Sequence, residues 1–280
     1  MIKKPESIRE FSRGQWEVPL FDQLMWQGRK TKYCVVIPVI NEGSRIRNLL
    51  SKMAVLGIHE TADIIIIDGG STDGSLDTNY LAGKHIAGLL LKRGPGKLSA
   101  QLRCAYAFAL DQGYAGIVTI DGNDKDDPGA IKQFIEHLDR GWDFIQGSRF
   151  VGGGVAVNTP RSRDLAIRFI HAPMLSLFSG FRWTDTTQGF RGYSRKMLLD
   201  EQVAPFRSQF MTYELLAYLS YRAPRLEYRC VEIPTSRIYP VGEVPTKISG
   251  FKGNLAVLQV LIRACLGRYD PKAAMGPMNG

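Results

Sequence analysis

Three apolar runs end on groups that could do chemistry. Asn41-Glu42 follow residues 33–40, Asp68 closes residues 62–68, and Asp121 closes residues 114–121. Carboxylates and carboxamides gathered on one rim can accept hydrogen bonds from hydroxyls or a base edge, and hard oxygens can hold a divalent cation. A later basic set, Arg149, Arg161, Arg163, Arg237 and Lys247, suits an anion, since the planar fork of arginine matches phosphate oxygens and lysine supplies a point charge. Each basic residue alone reads more readily as a solvated surface charge, and it is the set that points to an anion. Glu214, inside Tyr213-Glu214-Leu215, is the general-base candidate for a hydroxyl acceptor. A phosphate acceptor, already ionised at neutral pH, needs no base, and a structural salt bridge is the plainer role for Glu214. Gly96-Lys97 is not a phosphate-binding P-loop, because positions 91 and 98 are leucines.

These groups need elements to position them. Residues 33–40 and 62–68 are rich in β-branched residues and read as strands, the second so apolar that it must be covered on both faces. Residues 114–121 and 142–146 read as further strands, and residues 89–92 as a weaker one. Helical periodicity covers 44–56, with Ile46, Leu49, Leu50 and Met53 on one face, and also 97–110 and 131–138. Strand alternating with helix argues for right-handed βαβ units and a parallel sheet. Ligands bind such sheets beyond the carboxyl ends of the strands, which is where Asn41, Glu42, Asp68 and Asp121 fall. Past Arg149, the glycine-rich residues 151–160 read as a mobile loop. Residues 161–181 read as a helix followed by a loop through Gly192, residues 229–233 as a late strand, and residues 252–266 as a last helix.

The chain has 280 residues, 44% hydrophobic and 22% charged, which is ordinary globular composition. Its net charge of +9 favours anionic partners without choosing among nucleotides, lipid phosphates, membranes and nucleic acid. Cys34, Cys104, Cys230 and Cys265 form no CxxC pair and the four histidines stand apart, so neither a zinc site nor a disulfide framework is expected and a reducing, cytoplasmic compartment fits. Residues 1–30 lack the apolar core of a signal peptide.

The series Val36-Ile37-Pro38-Val39-Ile40-Asn41-Glu42, Asp68-Gly69-Gly70-Ser71-Thr72-Asp73-Gly74, Gly96-Lys97, Asp121-Gly122-Asn123, Gly147-Ser148-Arg149 and Gln188-Gly189-Phe190-Arg191 resembles the family 2 inverting glycosyltransferases. Within them it is most similar to the dolichyl- and polyprenyl-phosphate sugar synthases, in order and spacing from about residue 33 to 247. The resemblance implies an α/β fold of the GT-A type, a Rossmann-like and mostly parallel sheet with helices on both faces. It implies a single domain over residues 31–247, with an N-terminal extension (1–30) and a C-terminal amphipathic helix and tail (248–280). It also implies a nucleoside diphosphate sugar donor, bound by Pro38, Asn41, Glu42, Asp68 and Lys97, with Pro38 and Glu42 lining the nucleoside pocket. Asp121, Gly122 and Asn123 occupy the place of the family's DxD motif, which implies Mg or Mn held by Asp121 and Asn123. Arg149, Arg237 and Lys247 would hold the donor diphosphate and the acceptor phosphate, and Asp121, Arg149, Asp185 and Glu214 would form the catalytic group. Each acid has a plainer reading as well: Glu42 as a helix-start acid, Asp68 as a turn aspartate, Asp124 to Asp127 as a solvated acidic turn.

Three residues depart from the pattern. Gly69 stands where a second aspartate is frequent. Asn123 replaces the last aspartate of the motif, and Lys125 stands where a further oxygen ligand is common. Asp124 or Asp126 could compensate, or Lys125 could place a fixed positive charge near the phosphates.

The expected acceptor is a polyprenyl phosphate or a glycan or glycolipid hydroxyl. Residues 252–266 would form a helix about 22 Å long at ~1.5 Å per residue, too short for a bilayer core of about 30 Å. Its apolar face (Phe251, Leu255, Leu258, Ile262, Cys265) and its polar stripe (Lys252, Gln259, Arg263) suit either packing on the domain or a partner subunit, or a peripheral contact of residues 251–266 with the cytoplasmic face of a membrane. Two rivals remain. A nucleotidyltransferase would need a glycine- and arginine-rich first loop, which Asn41-Glu42-Gly43-Ser44 does not supply. A nucleic-acid-binding protein would need a continuous basic stripe with stacking aromatics, whereas the basic residues here are dispersed among acidic motifs, so no nucleic-acid partner is expected.

Overall fold

The computed structural model describes residues 16–241 and 250–272. Its strands are β1 (Phe21–Trp26), β2 (Tyr33–Val39), β3 (Ala62–Asp68), β4 (Ile86–Lys92), β5 (Gly116–Thr119), β6 (Phe144–Ser148), β7 (Val155–Val157), β8 (Arg191–Ser194), β9 (Cys230–Pro234) and β10 (Ser236–Ile238). Its helices are α1 (Ser44–Val55), α2 (Thr78–Ala82), α3 (Leu98–Asp111), α4 (Ile131–Asp139), α5 (Arg161–Ala166), α6 (Ala172–Ser179), α7 (Arg195–Leu199), α8 (Glu214–Arg225) and α9 (Gly250–Cys265). Eight strands form one sheet in the order β1-β4-β3-β2-β5-β8-β6-β9, and β7 and β10 form a separate parallel pair.

Alternation along the central strands builds a core on each face of the sheet. Val36, Ile65, Ile67 and Leu90 pack toward α3 and α8, while Val35, Ile37, Ile64 and Ile66 pack toward α1 and α4. Every residue of β2 and β3 is buried. Each fully buried isoleucine is worth about 1.5–3 kcal/mol relative to exposure, so these two strands fix the middle of the fold. In α1, Ile46, Leu49, Leu50 and Met53 are the buried face. Pro38 falls beyond the ladder with β5, which pairs with β2 only as far as Val36↔Thr119, so its missing N–H breaks nothing there.

Four segments differ from the sequence reading. Residues 21–26, inside the expected N-terminal extension, form edge strand β1, antiparallel to β4, with Trp26 edge-on to Phe108 at 4.9 Å. Residues expected as loop before Gly192 lead into β8, which runs antiparallel between β5 and β6. The glycine-rich residues 151–160 contain β7, paired in parallel with β10. The single helix expected over 161–181 passes from α5 through a π turn (Ile167–His171) into α6. Pro173 has no N–H to give the preceding turn, which accounts for the widened hydrogen bonding there.

Helix α9 packs on the domain. Leu261, Ala264 and Cys265 are buried, and Leu258 is half-buried against the same core, while Leu255 and Ile262 remain exposed. The face expected from its sequence is thus divided between the core and the surface. The side chains of Phe251 and Lys252 lie outside the described residues, as does Lys247. Among the described residues no helix is long and apolar enough to cross a membrane.

Candidate active site

A cavity of about 1080 Å³ opens beyond the carboxyl ends of the central strands. Strand ends and the loops after them supply one side of its lining: Pro38 near the end of β2 and Glu42 after it, Gly69 after β3, Lys92 at the end of β4, Lys97 before α3, and Asp121, Gly122, Asn123 and Lys125 after β5. Arg149, Arg163, Arg237 and Tyr239 add to it, whereas Ala166, Ile167, Ile170, Leu216, Leu255 and Leu258 form an apolar lining from α5, the π turn, α8 and α9.

The loop from Asp121 to Asp127 is held by β10. Ile238 N donates to Lys125 O at 2.8 Å and Asp127 N donates to Ser236 O at 3.1 Å, which brings Arg237 across the loop. Arg237 Nη1 pairs with Asp126 Oδ2 at 2.6 Å and Nη2 with Asp121 Oδ2 at 3.3 Å. Gln188 Nε2 donates to the other oxygen of Asp126 at 2.5 Å, and Thr235 Oγ1 donates to Gln188 Oε1 at 3.2 Å. Asp126 is therefore consumed in positioning Arg237. Gly189 follows for a steric reason: a Cβ there would overlap Asp121 Oδ1 and lie 2.9 Å from its Cγ.

Arg149 is buried and forms a two-point pair with Asp185, Nε to Oδ2 at 2.7 Å and Nη2 to Oδ1 at 3.2 Å. Burial disfavours its charge, but Asp185 outweighs that cost and holds the guanidinium protonated. Asp185 is itself fixed by its backbone N–H, which donates to Glu232 at 2.9 Å; it orients Arg149 and does not line the cavity. Arg149 Nη1 and Arg237 Nε have no hydrogen-bond partner in the protein although both are buried. Both guanidiniums thus keep a donor that an oxygen acceptor entering the cavity could meet.

Lys125 is buried, with Nζ 4.9 Å from the centre of the Tyr239 ring. Burial and the Arg237 guanidinium lower its ammonium to about 8. Burial pushes the Tyr239 phenol up, but Arg237, Arg163 and Lys125 outweigh it and bring it to about 8. Arg163 Nη1 also donates to the Tyr239 hydroxyl at 3.0 Å.

The structure brings Pro38, Glu42, Lys97, Asp121, Gly122, Asn123, Arg149 and Arg237 to one cavity and leaves Asn41, Asp68, Asp185 and Glu214 outside its lining. Asn41 adopts φ 48°, which asparagine tolerates, and its Oδ1 accepts from Thr72 N at 2.8 Å, joining two strand-end loops. Asp68 Oδ1 accepts from Gly70 N, Ser71 N and Ser71 Oγ, closing the turn after β3. Gly69, where the resemblance would allow an aspartate, faces Gln101: a Cβ would meet Nε2 at 3.0 Å, and that amide bridges Val39 O and Ile67 O.

Glu214 opens α8 and accepts from Met211 N at 3.0 Å, Thr212 N at 2.5 Å and Thr212 Oγ1 at 2.6 Å, which ties down the turn leading into the helix. Glu214→Ala should lower stability by about 1 kcal/mol through the lost turn hydrogen bonds and leave nucleotide affinity unchanged, as read by thermal unfolding and calorimetry. A selective loss of turnover without destabilisation would return Glu214 to the catalytic group. Sequence reasoning did not assign Lys92, Tyr213, Tyr239 or the apolar lining to the site; Lys92 was detectable, because it ends a strand as the acids do.

Among the described residues no group of three or more His, Cys, Asp or Glu side chains could hold a metal ion. Asn123 turns its nitrogen toward Asp121 Oδ2 at 3.5 Å, and its Oδ1 accepts from Lys125 N at 3.3 Å. That is not the orientation of a joint oxygen clamp. Asp124 pairs with Lys52 at 2.7 Å and Asp126 with Arg237 at 2.6 Å, so both acids offered as compensating ligands are engaged by cations. In this structure Asp121 and Asn123 thus do not present two oxygens jointly to one point.

The sheet order, the two cores and the strand-end cavity define a glycosyltransferase of the GT-A fold. The family model "Glycosyl transferase family 2" matches residues 34–200, and the chain belongs to that family. It is 26% identical over 244 residues to a polyprenol monophosphomannose synthase of Mycolicibacterium smegmatis, covering 84% of this chain and 88% of the relative. It is also 26% identical over 238 residues to an undecaprenyl-phosphate mannosyltransferase of Micrococcus luteus, covering 84% and 95%. A solved glucosyl-3-phosphoglycerate synthase from Mycobacterium tuberculosis, in complex with Mn2+ and UDP-glucose, has the same fold with TM-score 0.59 and 15% identity, covering 88% of this chain and 82% of that one.

Proposed function

We propose that the protein transfers a hexose from a nucleoside diphosphate sugar to a polyprenyl phosphate, with inversion at the anomeric carbon. The observation that carries this reading is the union, in one cavity, of a cationic anion site with an apolar lining from α5, the π turn and α9. A phosphate at the head of an isoprenoid chain needs both. The names of the two relatives, which concern polyprenol and undecaprenyl phosphate, support the same acceptor class. The engagement of Glu214 by the turn before α8 also favours it over a glycan hydroxyl, since an ionised phosphate needs no base.

In this reading Pro38, Glu42 and Lys97 receive the donor nucleotide and Asp121 borders its sugar and diphosphate. A phosphate oxygen of the acceptor attacks the anomeric carbon while the bond from that carbon to the diphosphate breaks. The electron pair leaves on the β-phosphate oxygen, where Arg237 and Lys125 meet the growing charge. Arg149, held by Asp185, orients the acceptor phosphate. Calorimetric titration with GDP, UDP and dTDP tests the donor half. Micromolar binding of at least one, lost in Asp121→Ala or Arg237→Met, is expected, and absence of binding to all three would remove the reading.

The lipid also suggests where the protein works. Leu165, Phe169, Ile170 and Leu177, on α5, the π turn and α6, are exposed apolar side chains, and Ile170 lines the cavity. With Leu255 of α9 they suit peripheral contact with the cytoplasmic face of a membrane. Phe169, 73% exposed, should be replaceable by aspartate without loss of fold, and the variant should bind anionic liposomes several-fold more weakly than wild type in co-sedimentation. Equal binding by the two proteins would dismiss this face.

A further inference from the structure

We infer that His171 is a further ligand of the acceptor, its ring N–H donating to a phosphate oxygen of the polyprenyl phosphate where the charged head meets the apolar chain. The inference rests on the proposed acceptor and concerns which side chains read it.

The π turn (Ile167–His171) is part of the cavity wall. Ile167, Ile170 and His171 face inward and continue the line of Arg163 and Ala166 from α5. Their spacing of three and four residues keeps all five on one side of the segment, while Leu165 and Phe169 are exposed. The inner side passes from charged to apolar along its length. At the charged end, Arg163 Nη1 donates to the Tyr239 hydroxyl at 3.0 Å, and Arg237 lies 5.9 Å from the centre of the same ring.

The turn is anchored beside Arg149. The Arg168 guanidinium lies over the Phe150 ring, 4.1 Å from its centre, and the Arg149 guanidinium lies 5.3 Å from that centre. Arg149 Nη1 is buried and has no hydrogen-bond partner in the protein. An acceptor phosphate that meets this donor therefore has the π turn as its neighbour, with Ile167 and Ile170 beside the first carbons of its chain.

His171 suits that junction chemically. It is half-buried in the cavity wall, and among the described residues its ring makes no hydrogen bond. Burial, and after it the charge of Arg163, lowers its pKa below the ordinary histidine value. At neutral pH the ring is therefore uncharged and offers one N–H donor and one acceptor nitrogen. An uncharged donor can stand against Ile167 and Ile170 without the desolvation cost that an ammonium would meet there. A phosphate oxygen is the group of a lipid phosphate that can take its hydrogen bond.

Initial rates with the accepted nucleoside diphosphate hexose and a short-chain polyprenyl phosphate test the inference. His171→Phe keeps a flat ring and removes the N–H; it should raise the acceptor KM by at least about tenfold, the scale of one hydrogen bond to a charged group. Its affinity for the nucleoside diphosphate, read by calorimetry, should stay within about twofold of wild type. His171→Asn and His171→Gln place an amide N–H near one or the other ring nitrogen, and one of them should bring the acceptor KM back to within about threefold of wild type. Thermal unfolding checks the fold, and His171→Ala takes the place of the phenylalanine variant if that one does not fold. An acceptor KM unchanged in His171→Phe would overturn the inference, as would a loss shared equally by acceptor and nucleotide, or a loss that neither amide repairs. Each of these leaves the proposed acceptor intact. A wild type that makes no lipid-linked product from any donor would overturn both.

Discussion

Gly189→Ala should reduce sugar transfer by about a hundredfold or more while leaving the protein folded. The added methyl has nowhere to go, because it would overlap Asp121 Oδ1. Gly189 is followed by Phe190, which stacks on Phe134 at 4.4 Å, and by Arg191, whose guanidinium donates to Gln188 O, Leu216 O and Thr186 O. The backbone behind the glycine is thus pinned, and the carboxylate, 22% exposed toward the cavity, is the partner that moves. Displacing a reacting-site group by about 1 Å costs on the order of a hundredfold. Initial rates of wild type and variant with the same donor and acceptor check it. A Gly189→Ala enzyme working within threefold of wild type would mean that the position of Asp121 is unimportant.

Arg237→Met should be the most damaging single change, affecting stability and activity together. The guanidinium is buried between Asp121 and Asp126, and Asp126 is almost wholly buried. Removing one partner of a buried pair costs about 3–5 kcal/mol, because the other charge is left uncompensated. At roughly 2–4 °C per kcal/mol, unfolding should move down by about 10 °C. Adding Asp126→Asn removes the orphaned charge and should recover much of that loss, the signature of coupling in a double-mutant cycle. The double variant should still fail to bind nucleotide diphosphates, since the anion-facing donors are gone. An Arg237→Met protein that unfolds at the wild-type temperature would contradict the pairing.

Much of this arrangement is legible in the amino-acid order. Runs such as Ile64 to Ile67 and the 3.6-residue spacing of Ile46, Leu49, Leu50 and Met53 announce their elements, because burial alone decides them. Strand β8 gives no such signal. Its first residues are Arg191 and Gly192, and the arginine is buried through three backbone carbonyls rather than apolar contact. Strand β7 is three residues inside a glycine-rich stretch and exists through its pairing with β10. The π turn depends on one missing N–H at Pro173.

The site divides in the same way. The rule that ligands gather at strand carboxyl ends locates Glu42 and Asp121, and applied to β4 it reaches Lys92 as well. It cannot say which acids face the cavity and which serve the scaffold. Asp68 and Asn41 close loops, Asp185 orients an arginine and Glu214 holds the turn before a helix, because each lies within reach of a backbone N–H or a cation whose position only the folded chain fixes. Asp126 looked like a spare ligand in a run of acids and is instead the buried counter-charge of Arg237, a residue 111 positions away.

The most direct test of the account is a transfer experiment. The purified protein would be given radiolabelled UDP-, GDP- and dTDP-hexoses with a short-chain polyprenyl phosphate, and the products extracted into organic solvent. The account predicts label in the organic phase for one donor, in a sugar-phosphate linkage of inverted anomeric configuration, and none with Gly189→Ala or Arg237→Met beyond about a hundredth of the wild-type amount. Transfer to a sugar hydroxyl or to a small water-soluble phosphate, with no lipid product from any donor, would contradict it.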